Sequence, residues 1–111
     1  MEQIVEQGML YDFYGPLLTE HQQEVYEMVV YRNLSLNEIA EQKGISKQAV
    51  SDLVRRATVQ MRGYEKRLGL MERFRRIRRS CEQLERAVSG VTDPDAAENL
   101  KKLAEEIRRE L

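Results

Sequence analysis

Ser35-Leu-Asn-Glu-Ile-Ala-Glu-Gln-Lys-Gly-Ile-Ser-Lys-Gln-Ala-Val-Ser-Asp-Leu-Val-Arg-Arg-Ala57 is the stretch that decides the fold. Ser35 with Glu38 three residues on makes a capping box that opens a short helix from 36 to about 43. Gly44 supplies the left-handed residue that a tight turn needs. Ser46 caps the helix that follows. Two helices cross closely only where the contact residue is small, and Ala40 stands at that place. Ile45 drops into the core just after the turn, and Val50 and Leu53 face inward against Ile39 and Ala40. Apolar residues at these offsets, with both caps in register, predict a helix-turn-helix. An ordinary helical hairpin with no ligand is the plainer alternative.

Outward from this stretch the chain reads as helices throughout. Residues 2–14 form a first helix carrying Ile4, Val5, Met9, Leu10, Tyr11, Phe13 and Tyr14, ended by Gly15-Pro16 because proline disfavours helical geometry before it. Thr19 with Gln22 is a second capping box, opening a helix of about 20–31 that buries Val25, Met28 and Val29. The helix capped by Ser46 has no stop before Gly69. Its apolar stripe runs through Val50, Leu53 or Val54, Ala57, Met61, Tyr64 and Leu68. A new stripe follows, Leu70, Phe74, Ile77, Cys81, Leu84 and Val88, whose steps alternate four and three as in an a/d seam. Gly90 to Pro94 breaks the chain, with Thr92 or Asp93 as cap. The last helix repeats the seam through Ala97, Leu100, Ala104, Ile107 and Leu111. The expected architecture is all-α with about six helices: a helix-turn-helix lobe over 1–69, then an antiparallel helical hairpin over 70–111, together one compact unit. No strand pattern or long-period repeat is visible.

At 111 residues, 33% charged and 41% hydrophobic, the chain suits amphipathic helices rather than disorder. Its longest apolar runs are too short for a membrane span, and Met1 leads into an acidic stretch rather than a signal segment. The lone Cys81 forms no internal disulfide, in keeping with a reducing, cytoplasmic setting. The net charge of −1 hides an asymmetry: residues 1–31 carry −6, residues 32–86 carry +7 and residues 87–111 carry −2. A polyanion would be met in the middle of the chain, or else the acidic and basic segments neutralise each other within the fold.

Two sets of residues are candidates for binding. The outward face of the second motif helix shows Lys47, Gln48, Ser51, Asp52 and Arg55, with Arg56 to one side. Gln48 and Arg55 can meet base edges and Lys47 a phosphate, while Asp52 in their midst repels phosphate. A protein surface is as suitable a target as a DNA groove. Downstream, Arg73-Phe-Arg-Arg-Ile-Arg-Arg79 packs five arginines, Arg73, Arg75, Arg76, Arg78 and Arg79, into seven residues with Phe74 and Ile77 inward. Such a cluster suits a nucleic-acid backbone, or is a solvated face neutralised by acidic helices. The five tyrosines read as core residues with their hydroxyls at the edge. His21 has no partner for a metal site, Cys81 has no base to make it a nucleophile, and no phosphate-binding glycine loop is present. Neither a cofactor nor a catalytic centre is expected.

Leu17 to about Arg62 resembles the promoter-reading helix-turn-helix domain of bacterial sigma factors. The carrying residues are Leu-Leu-Thr-Glu-His-Gln-Gln-Glu-Val-Tyr, Leu-Ser-Leu-Asn-Glu-Ile-Ala-Glu and Gly-Ile-Ser-Lys-Gln-Ala-Val-Ser. Leu10-Tyr-Asp-Phe-Tyr-Gly15, Ser46-Lys-Gln-Ala-Val50 and Tyr64-Glu-Lys-Arg-Leu-Gly-Leu70 extend the likeness. Over about residues 10–70 the chain is more closely similar to the YlxM family, small bacterial proteins that look like that domain standing alone. It departs at Ser51, a position often aromatic in that family. The resemblance implies an accessory role beside the signal recognition particle, through contacts with the particle's GTPase or its RNA that modulate the GTPase cycle. A transcription regulator reading duplex DNA with the 46–57 helix is the alternative. A third possibility is a protein whose arginine run and hairpin serve self-assembly alone. A homodimer is expected, because the two seams offer more apolar surface than one small hairpin should leave exposed.

Overall fold

The computed structural model describes residues 2–111, with Glu2 described by its backbone alone; Met1, the first residue of the acidic stretch that stands in place of a signal segment, lies outside them. The described residues form six α-helices and no strand. They are α1 (Glu2–Tyr14), α2 (Glu20–Val30), α3 (Leu36–Lys43), α4 (Lys47–Leu68), α5 (Leu70–Val88) and α6 (Pro94–Arg109), with a 3-10 turn at Gly15–Leu17. The all-α expectation is met. The chain divides into two compact units, one ending at Met71 and the other running from Glu72 to Leu111.

The local signals act where the sequence places them. Thr19 and Ser35 each accept from the backbone N–H three residues on while Gln22 and Glu38 reach back, completing both capping boxes. Ser46 accepts from the N–H of Ala49, satisfying one orphan donor of α4. Gly44 (φ +67°) and Gly69 (φ +63°) both adopt the left-handed conformation that ends a helix at little steric expense. Asn33 (φ +51°) does the same after α2, a position asparagine tolerates. Gly15 answers to packing instead: a Cβ there would lie 2.9 Å from the Tyr11 ring. Of the two caps weighed for α6, Asp93 takes the role, accepting from the N–H of Asp95 at 3.0 Å.

The first unit holds two adjoining cores. Leu10, Tyr11, Tyr14, Leu18 and Tyr26 of the N-terminal segments close around Ala57, Met61 and Met71. Val25, Ile39 and Val50, all fully buried, form the second, with Leu34, Ala40, Ile45 and Leu53 packed on it. Tyr11 and Tyr26 stack with centroids 5.5 Å apart, and Tyr26 shares a buried hydrogen bond of 2.7 Å with Thr58. The stripes overreach at helix ends. Ile4 and Val5 in the first turn of α1, and Leu68 and Leu70 at the α4–α5 junction, are exposed. A stripe defines a direction, but an end residue is buried only if another element passes over it.

The α4–α5 junction is closed by side chains far away in sequence. Gly69 offers no cap, so the first N–H groups of α5 depend on other acceptors. Tyr14 accepts from the Leu70 N–H at 3.2 Å and donates to Glu65, whose carboxylate also accepts from the Met71 N–H at 3.0 Å.

The second unit is an antiparallel hairpin of α5 and α6. Cys81 and Ala104 are buried at its centre, and Arg108 bridges back to Glu85, with Nε 3.1 Å from the carboxylate. The α6 seam is buried only in part, since Ile107 and Leu111 remain exposed.

Candidate nucleic-acid or partner interface

Two surfaces carry the candidate residues. The first is the outward face of α4. The turn fixed by Gly44, the N–H of Ile45 bonded to the Ala40 carbonyl at 3.1 Å and the Val25–Ile39–Val50 core hold this helix against α3. Its first turn therefore points Lys47 and Gln48 to solvent, and about two turns later Arg55 and Arg56. Ser51 is half-buried, so it offers less to a ligand than the sequence suggests.

Asp52 organises this face. Its Oδ1 accepts from Gln48 Nε2 and from an Arg55 NH2 group, each at 3.1 Å. These two bonds, Arg55 the stronger cause and Gln48 the next, hold the carboxyl below the usual aspartate range. Asp52 therefore stays ionised and occupies the two side chains best able to read bases. A ligand must detach both before using them, and must then accept a carboxylate beside its phosphates. The i, i+4 and i, i+3 spacings of 48, 52 and 55 were the available sequence signal for this cluster.

Acidic residues of the N-terminal helices neutralise other cations of the same unit. Glu24 pairs with Lys43, and Glu6 with Arg62 at 2.8 Å. Part of the charge asymmetry is thus consumed inside the lobe. Lys47 and Arg56 make no ion pair among the described residues.

The second surface is the solvent side of α5, where Arg73, Arg75, Arg76, Arg78 and Arg79 are all exposed. Glu72 lies 3.8 Å from Arg75 and 3.3 Å from Arg76, and Glu82 lies 3.5 Å from Arg78. These carboxylates stand on the same helix, three or four residues from the arginines they pair with. These pairs are exposed and weak, so a polyanion can displace them. Arg73 and Arg79 make no ion pair among the described residues. Beyond the run the exposed Arg86 continues the outward row, about three turns after Arg75 and two after Arg79, a position outside the sequence expectation.

No group of three or more metal-binding side chains is gathered among the described residues, and none of their helices is long and apolar enough to cross a membrane.

Comparison with known proteins agrees with this architecture. The model of the UPF0122 family, described as helix-turn-helix protein, YlxM / p13 like, matches residues 1–104. A UPF0122 protein of Thermoanaerobacter sp. (strain X514) is 36% identical over 103 residues, covering 93% of this chain and 88% of that one. One from Symbiobacterium thermophilum is 41% identical over 88 residues, 79% of this chain and 82% of its own. One from Clostridium perfringens is 37% identical over 111 residues, all of this chain and 97% of that one.

Proposed function

We propose, from the premise that this chain belongs to the UPF0122 family of YlxM / p13-like helix-turn-helix proteins, that it is an accessory protein of the signal recognition particle. In this reading the arginine side of α5 takes the backbone of the particle's RNA, and the α4 face docks a protein surface on its GTPase. The observation that carries the reading is the contrast between the two faces. On α4 a carboxylate holds the base-reading side chains, whereas on α5 only three of five exposed arginines pair with two helix carboxylates. Phosphate contact needs only dense, displaceable positive charge, and α5 supplies it. Protein docking tolerates a mixed-charge face such as that of α4.

Binding measured in parallel to the particle's RNA, its GTPase and random duplex DNA, each over a range of salt, tests this. RNA and GTPase binding well above duplex binding is the expected result. RNA affinity should fall in Arg75→Ala/Arg78→Ala, while GTPase affinity should fall in a variant of Lys47 and Arg56.

A second reading, a regulator of transcription, is favoured by the correct build of the motif with Gln48, Arg55 and Arg56 on its outer face. It requires tight binding to one duplex sequence, lost in Gln48→Ala/Arg55→Ala and unaffected by the α5 variant.

A further inference from the structure

Beyond Asp52 the outer face of α4 changes character. From Arg55 to Arg67 the helix carries the cations Arg55, Arg56, Arg62, Lys66 and Arg67, all exposed. The one acid of that stretch, Glu65, is half-buried and accepts from Tyr14 and from the Met71 N–H. Two residues without charge stand among the cations: Val59, 61% exposed, and Gly63 one turn later. At the helical step of about 100° per residue, Arg55, Arg56, Arg62, Gly63 and Lys66 lie within about 60° of Val59 round the axis, and Arg67 within about 80°. They form one patch. Arg55 is tied to Asp52 and Arg62 to Glu6, whereas Arg56, Lys66 and Arg67 make no ion pair among the described residues.

The fold itself gives no reason for Gly63. It stands inside a 22-residue helix, where glycine is less favourable than alanine. Its φ is not positive, and a Cβ there would meet nothing within 4 Å. Neither conformation nor internal packing asks for the missing side chain, so its absence serves an approach from outside. A bare spot one turn from an exposed valine lets another backbone come close, toward the short end of the 8–10 Å range of packed helices.

The surroundings say what approaches. Phosphates are held by charged and hydrogen-bonding side chains, yet the centre of this patch is a valine and a bare backbone. An apolar centre ringed by charge is the anatomy of a protein interface. The ring is basic, so the partner's rim is acidic. No side chain of the patch accepts a hydrogen bond, so the N–H groups that an extended segment turned toward it would find no partner. A helix satisfies its own. Arg56 and Lys66 stand about 15 Å apart along the axis, so such a helix lies along α4 with carboxylates about three turns apart.

We infer that this half of the α4 face is a docking site for an acidic α-helix of another protein, seated by an apolar residue on Val59 over Gly63, with its carboxylates on Arg56, Lys66 and Arg67. The inference rests on the proposed reading of α4 as a protein-docking face and gives that face its partner chemistry.

Fluorescence anisotropy of a labelled peptide titrated with the full chain tests it. The probe is an alanine-based helix, held by a lactam bridge on its far side, with two central leucines one turn apart and glutamates toward either end. It should bind saturably, and its counterpart with lysine for glutamate about ten-fold more weakly or worse. Gly63→Leu should weaken the glutamate peptide about ten-fold or more while the melting temperature holds or rises, because the new side chain meets open space and favours helix. A glycine kept for the fold alone would show the reverse. Lys66→Glu/Arg67→Glu should weaken binding about as much with helicity unchanged. Peptide binding as expected without binding of the particle's GTPase supports the site and removes the GTPase from the proposed function. GTPase binding untouched by both variants overturns the inference and leaves the proposed function standing. The inference is also overturned by no peptide binding up to about 1 mM, by peptide binding indifferent to Gly63→Leu, or by self-association of the chain that both variants abolish. Tighter binding of random duplex DNA, lost in Lys66→Glu/Arg67→Glu but not in Gly63→Leu, overturns it as well.

Discussion

Asp52 shows how one carboxylate redirects a motif. Its bonds to Gln48 and Arg55 satisfy the side chains that a groove reader would extend. Asp52→Asn keeps the hydrogen-bonding shape but removes the charge, and should raise affinity for random duplex DNA several-fold at low salt; unchanged affinity in an electrophoretic titration would remove Asp52 from the account. The tyrosines make a second residue-scale prediction. Burial first, then the neighbouring Glu27, pushes Tyr11 up to about 12, and burial also raises Tyr14 and Tyr26. A raised folded pKa means that the folded state holds the proton more tightly. The stability this provides is complete below pH 10 and lost as pH rises from about 10 toward 12. Absorbance at 295 nm should therefore show tyrosine ionisation in the folded protein lagging that in denaturant, and the melting temperature should drop over the same interval.

At the scale of elements, stability rests on two small clusters and on the helix ends. Ile39→Ala empties the centre of the Val25–Ile39–Val50 cluster and should cost about 2–5 kcal/mol in urea unfolding. Tyr14→Phe takes an acceptor from the Leu70 N–H and a donor from Glu65, and should cost about 1–3 kcal/mol while leaving α3 and α4 intact by hydrogen exchange. Caps and turn glycines were legible in the sequence because they act within three or four residues: Thr19, Ser35, Gly44, Ser46 and Gly69 all do what their spacing says. The Tyr14–Glu65 clamp was not, because its partners stand 51 positions apart. Nor was the exposure of Ile4, Val5 and Leu68, which depends on whether another element crosses a helix end. In the candidate site the residue types were readable. What they bond to was half-readable: the Asp52 cluster and the Glu72 and Glu82 pairs all follow helical spacing, yet spacing alone does not choose among rotamers.

At the scale of the molecule, a helix-turn-helix lobe and a helical hairpin carry different kinds of charge. The lobe spends its acids on its own cations, through Glu24–Lys43 and Glu6–Arg62, while the hairpin keeps an exposed arginine row. In the proposed reading, nucleic-acid backbone binds that row and not the face of α4. The dependence of RNA affinity on salt tests it most directly, since each phosphate contact contributes about 0.7 to 0.9 to the slope of log K against log salt. The slope should shrink by about one to two in Arg75→Ala/Arg78→Ala and stay at the wild-type value in Gln48→Ala/Arg55→Ala. A slope untouched by the first variant and reduced by the second would contradict the claim and return the binding site to α4.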